Sequence, residues 1–272
     1  MLVSGLLASL VVSGIAVTVV VLSTSSGIEA ADVEDRIEEW IAHNAGSPLA
    51  ILGLLLPAQV VMLGFALLPA AFSREGILRR LGFRRGPAPL STIALAVLGS
   101  LGVQFAINVV AGWLIEEPSQ SLRALSKLFS GPSGLVAVLM GFMISVPPGF
   151  CEELFFRGYG QRGLLRGWPP ALAIGVTSFL FALAHFDVQH SPAVFPLGLW
   201  FGFVAWRTGA VWPAMLCHFA NNLVAFVAAR TWGEGELLEL PEGPAYWGLG
   251  AVLLLVTGVA TVRLMRTRLE GG

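Results

Sequence analysis

Of the 272 residues 56% are hydrophobic and 12% are charged, and the formal net charge is −1, against roughly a quarter charged in an average soluble domain. That balance excludes a disordered chain and an ordinary cytosolic enzyme. With no general basic surface it also excludes nucleic-acid binding. The two cysteines, Cys151 and Cys217, both lie in apolar runs and form neither a C-x-x-C motif nor a disulfide framework.

Apolar runs near the about 20 residues needed to cross a bilayer recur along the chain. The first, Leu2 to Leu22, has no basic start and is longer than a secretory signal core, so it reads as a retained helix. The segment 30–42 spaces Val33, Ile37, Trp40 and Ile41 for an amphipathic helix on the membrane surface, or else is a solvated connector. Further spans are predicted at about 48–72, 91–115, 134–155, 169–186, 192–206, 209–229 and 245–264. The expected fold is an all-α polytopic membrane bundle of about eight transmembrane helices. Pro147-Pro148 in the span 134–155, and the shortness of 192–206, mark these two as candidates for kinking, tilting or re-entry. The expected division is 1–132 with the first three helices, a core over 133–230, and 231–272 with the last helix, all in one membrane domain.

Charge orients this bundle, because basic residues near span ends accumulate on the cytoplasmic side. With the N-terminus inside, Arg74, Arg79, Arg80, Arg84, Arg85, Arg157, Arg162, Arg166, Arg207, Arg263, Arg266 and Arg268 all fall there, twelve of the 16 basic residues. Arg36, Arg123, Lys127 and Arg230 fall on the other side, beside the acidic stretches 29–39 and 234–242. Both termini are expected in the cytoplasm of a cell bounded by this membrane.

Ionisable groups inside apolar spans are costly and are by default functional candidates. In Cys151-Glu152-Glu153-Leu154-Phe155-Phe156-Arg157, Glu153 and Arg157 are four apart and can pair, whereas Glu152 is rotated by about 100° and is left free. Phe181 and His185 share one helix face, and so do His218 and Asn222, with Asn221 slightly off it. Each has a bland reading: a helix-end ion pair, an interfacial histidine, interhelical hydrogen bonds. The turn Gly167-Trp168-Pro169-Pro170 makes its flanking helices antiparallel neighbours and puts Glu152 and His185 at one level. His218 enters from the basic side about nine residues along its span. It falls short of that level by several ångströms unless the helix past Arg157 projects beyond the membrane.

Glu-Glu-x-x-x-Arg, Phe-x-x-x-His and His-x-x-x-Asn, in this order in successive spans over about 133–230, resemble the CAAX prenyl protease 2 family and its prokaryotic CPBP (Abi) intramembrane proteases. Leu81-Gly82-Phe83-Arg84-Arg85 looks like the family's basic cytoplasmic loop. The resemblance implies a helical bundle with a polar cavity and hydrolysis of a peptide bond near the C-terminus of a membrane-associated protein or peptide, in some cases lipidated. It makes Glu152 the general base, helped by His185. Glu153 orients the site through Arg157, and His218 with Asn222 binds the oxyanion. A metal is not favoured; if zinc takes part, its ligands are Glu152, His185 and His218.

Rival readings remain. Gly131-Pro132-Ser133-Gly134 fits the Gly-x-Ser-Gly pattern of rhomboid-type serine proteases with His218 as base, or is simply a helix N-cap. A proton-coupled transporter would use the same acids and histidines but calls for repeated halves. A non-catalytic immunity or scaffold protein would keep only the fold.

Overall fold

The computed structural model describes residues 40, 43–44, 47–129, 133–185, 187, 189–232 and 243–267. The expected helix Leu2–Leu22, nearly all of the 30–42 segment, both acidic stretches and Arg268 lie outside them. The helices are α1 (Pro48–Ala71), α2 (Ile77–Arg80), α3 (Leu90–Leu114), α4 (Gln120–Phe129), α5 (Gly134–Glu153), α6 (Arg162–Leu164), α7 (Pro170–Leu183), α8 (His190–Thr208), α9 (Trp212–Trp232) and α10 (Pro244–Arg266), with a π-helical segment Leu154–Gln161 joining α5 to α6. No strand occurs among the described residues.

Five described helices are long and apolar enough to cross a membrane: α1, α3, the continuous run Gly134–Leu164, Trp212–Thr231 of α9, and α10. The protein is an integral, multi-pass, all-helical membrane protein. The expected spans at 169–186 and 192–206 are the shorter α7 and the 19-residue α8. The span expected to end at 155 instead continues to Leu164.

Large apolar side chains such as Leu56, Val60, Leu68, Phe142, Leu249, Val252 and Leu255 face outward, as a lipid solvent allows. Association must then come from close packing and interhelical hydrogen bonds rather than from expulsion of water. Such bonds join α3 to three of its neighbours. Thr257 donates to the Gly99 carbonyl at 2.9 Å between α10 and α3, Trp200 Nε1 to the Ala96 carbonyl at 3.1 Å between α8 and α3, and Asn221 Nδ2 to Ser100 Oγ at 2.7 Å between α9 and α3. Asn221 is therefore interhelical glue. One core gathers Met62, Ala66, Ala96, Phe155, Phe181, Phe201, Cys217 and Leu264 from seven segments.

Pro147 and Pro148 do not interrupt α5. Proline has no N–H to give the carbonyl four residues back, so Pro148 orphans the carbonyl of Ile144. Asn222 Nδ2 donates to that carbonyl at 3.3 Å. A side chain from α9 thus repairs the bond that the α5 sequence removes.

One end of the bundle is basic and tied by backbone acceptors. Arg207 donates to the carbonyls of Leu264, Met265 and Thr267 at the end of α10, and Arg84 Nε to that of Gly209 at 2.8 Å. Gly209 ends α8 with φ 65°, the left-handed conformation that glycine adopts without penalty.

Candidate active site

Along α5 and its π-helical extension, Gly141, Ser145, Gly149, Glu153, Arg157 and Gln161 recur every four residues, and all are buried. In an α-helix of 3.6 residues per turn this spacing drifts forward by about 40° per step. The wider turn of the π segment takes more residues per turn, so it reverses the drift and keeps Arg157 and Gln161 facing inward behind Glu153. There the two side chains act as rungs: Arg157 Nη2 donates to the Gly198 carbonyl at 2.8 Å and Gln161 Nε2 to that of Gly202 at 2.9 Å.

Close approach makes these rungs short. A Cβ on Gly198 would lie 3.1 Å from the Cβ of Ser178, and one on Gly202 would lie 2.9 Å from Ile174 Cγ2. The pair is a Gly-x-x-x-Gly contact of α8 on α7. A Cβ on Gly149, one turn before Glu153, would lie 3.3 Å from the backbone nitrogen of Phe219. Its absence lets α9 bring His218 up to the carboxylates.

Glu153 is fully buried, and its Oε1 accepts from Arg157 Nη1 at 2.8 Å and from His218 Nδ1 at 3.0 Å. Three aromatic rings enclose the guanidinium, whose carbon lies 4.4 Å from the Phe181 centroid, 5.6 Å from that of Phe201 and 5.9 Å from that of Phe156. The His218 ring stacks on Phe201 at 5.2 Å and meets Phe181 edge-on at 5.6 Å. With Nδ1 committed to Glu153, His218 offers Nε2, which lies 4.0 Å from Glu152 Oε2. That gap is too long for a hydrogen bond and suits one bridging water.

Glu152 is not free. Its Oε1 accepts from Gln59 Nε2 of α1 at 2.9 Å, while its side chain keeps 13% exposure. Gln59 was missed in the sequence, although a lone amide in the middle of the apolar run of α1 was a signal for it. His185 adjoins the cluster through Phe181: their rings are 5.1 Å apart, and His185 Nδ1 donates to the Phe181 carbonyl at 2.9 Å, leaving Nε2 for other partners. The His190 ring, also missed, is 5.2 Å from that of His185. Asp187 Oδ1 accepts from the backbone of Gln189 and His190, which caps the start of α8.

Among the described residues no group of three His, Cys, Asp or Glu side chains is gathered so as to hold a metal ion. Glu152, His185 and His218 therefore do not form a three-ligand set in this arrangement. Ser133 does stand at the N-cap of α5, though its hydroxyl makes no cap hydrogen bond. Twenty residues of helix separate it from Glu153, about 30 Å at 1.5 Å each, and His218 is bonded to Glu153. The rhomboid-type pairing of Ser133 with His218 is thus ruled out by distance.

These features define a class: a polytopic helical membrane protein with a buried carboxylate, imidazole and guanidinium cluster beside a second, accessible carboxylate. Residues 133–224 match the family model described as Rce1-like, type II CAAX prenyl endopeptidase, a match that supports the CPBP/CAAX protease family. No curated protein and no solved structure matches it. The matched stretch contains Glu152, Glu153, Arg157, His185, His218 and Asn222, whereas Gln59 lies outside it. The match supports a CAAX-type intramembrane peptidase in general terms.

Proposed function

We propose that this protein hydrolyses a peptide bond near the C-terminus of a membrane-associated protein or peptide, with Glu152 activating the water. One observation carries the reading: Glu152 Oε2 faces His218 Nε2 across 4.0 Å while the other ends of both groups are held, by Gln59 and by Glu153. A water in that gap gives its proton to Glu152 as its oxygen attacks the scissile carbonyl carbon. The carbonyl oxygen becomes an oxyanion, Glu152 returns the proton to the departing amine, and the C–N bond breaks. In this reading His218, as the imidazolium with Nε2–H, and Asn222, one turn on, donate to the oxyanion. The Asn222 amide carries two N–H groups and spends one on Ile144. His185 orients the water through Nε2.

In this reading no step passes through a metal. Activity of the purified protein should survive stringent chelation, and loss that zinc restores would overturn this part. The arginine-rich end of the bundle supports an orientation with both termini in the cytoplasm and the site reached from that side of the plasma membrane. The substrate is sought without assuming a lipid tail, by comparing the peptides in membranes that hold the wild type or Glu152→Gln. A C-terminal fragment present only with the wild type identifies it, and identical peptide sets would refute the peptidase mechanism.

A further inference from the structure

At the basic end of the bundle a cavity of about 420 Å³ opens between the loop after α2, the π-helical segment and the α8–α9 turn. Arg84, Arg85 and Arg162 line it, Arg157 and Gln161 lie at its inner side, and no Asp or Glu contributes to its wall. Arg157 has Glu153 as its counter-ion. Arg84 and Arg162 donate only to the Gly209 carbonyl, and Arg85 is exposed. Among the described residues none of these last three has a carboxylate within ion-pair distance. Three positive charges therefore converge on a concavity whose wall holds no carboxylate, while Glu75, which acts on Arg162 from outside that wall, pairs with Arg166 at 3.7 Å.

Two independent observations say that a ligand belongs there. Arg157 is only 1% exposed, yet its Nε is buried without a hydrogen-bond partner, and so is Arg162 Nε; both are donors that an anion would satisfy. Buried polar atoms are nearly always satisfied, so these are groups awaiting a partner. In addition, Pro170 opens α7 at the cavity, and Ala210 and Val211 lead into α9 there. The positive ends of two helices thus add to the same field.

Position selects the source of the anion. The cavity lies where the apolar run Gly134–Leu164 ends and the next spans begin, and Trp168 and Trp206 stand in its wall. Tryptophan settles at the level of lipid headgroups, and basic pockets between transmembrane helices take anionic headgroups. We propose that this cavity binds the phosphate of an anionic phospholipid headgroup, with Arg85 and Arg162 as its charge partners. The binding is independent of the hydrolytic reading, and nothing in it depends on Glu152.

The full chain, purified in detergent and stripped of lipid, would be titrated with phosphatidylglycerol, with phosphatidylcholine and with inorganic phosphate, and bound lipid counted by native mass spectrometry. Phosphatidylglycerol should bind at least tenfold more tightly than phosphatidylcholine. Arg85→Gln should weaken it about fivefold, and Arg85→Gln with Arg162→Gln about 25-fold, from the worth of each cation near an anionic surface. Arg263→Gln, an exposed arginine at the same end of the bundle but outside the cavity, should change nothing. Arg162 also packs on Gly82, so the single Arg85 variant, with an unchanged melting temperature, carries the test if the double variant fails to fold. Equal binding of the two lipids, equal loss in Arg263→Gln, or displacement of lipid by an equal concentration of inorganic phosphate would overturn the proposal.

Discussion

Glu152 and Glu153 are neighbours in sequence and opposites in surroundings. The face of α5 that carries Glu153 is sealed: its carboxylate meets Arg157 and His218, and aromatic rings close over the guanidinium. The face that carries Glu152 keeps access, and one neutral amide fixes its orientation. A buried charge pair costs heavily in desolvation and is kept only with well-formed partners, so the Glu153 side is built for position. A carboxylate with a free oxygen and a nearby imidazole can exchange a proton, so the Glu152 side is built for chemistry. Two carboxylates in different environments taking different roles is a general pattern in acid-base sites.

The largest expected effect breaks the chemical side alone. Glu152→Gln keeps the size of the side chain and its contact with Gln59 but removes the proton acceptor. Turnover of the substrate found by peptide comparison should fall about 10³-fold, with melting temperature unchanged. Retained turnover would exchange the roles of the two glutamates.

Next comes the structural side. Arg157→Met leaves Glu153 buried against His218 without its cation and should destabilise the protein by about 3–5 kcal/mol, read by denaturant or thermal unfolding in detergent. Pairing it with Glu153→Leu removes the stranded charge and should recover much of that stability. Activity should stay low in the double variant, because His218 Nδ1 has lost its acceptor. Recovery of both would show that Glu153 and Arg157 serve folding only.

Much of this arrangement was legible before the structure. The i, i+4 spacing announced the pairing of Glu153 with Arg157, since one helix turn suffices to bring the groups together. Contacts between distant segments were less visible. The pairing of His218 with Glu153 depends on how close α9 comes to α5, which Gly149 decides. The π segment left no hydropathy signal, because it alters the phase of a buried stripe and not its composition. Gln59 was obscured because a neutral amide barely perturbs an apolar run. Its contribution can be measured on its own: Gln59→Leu should lower turnover about tenfold, the worth of about one hydrogen bond to a charged group. The Glu152→Gln background should show no further loss, since Gln59 then has no proton acceptor to orient. An undiminished effect in that background would mean that Gln59 acts on packing.

The smallest expected effect tests whether the site stops where the two carboxylates do. Ser133 matches a serine-protease pattern in sequence and begins the helix whose other end bears Glu152 and Glu153. It lies about 30 Å of helix away from them, and its hydroxyl makes no cap bond. Ser133→Ala should leave turnover unchanged. The expected change in stability is also near zero, because an N-cap substitution costs about 1 kcal/mol only where a cap hydrogen bond is lost. Parallel assays of Ser133→Ala and Glu152→Gln on the same substrate therefore separate the two chemistries. Inactivation by the serine change would require a second site at the far end of α5, beyond reach of His218.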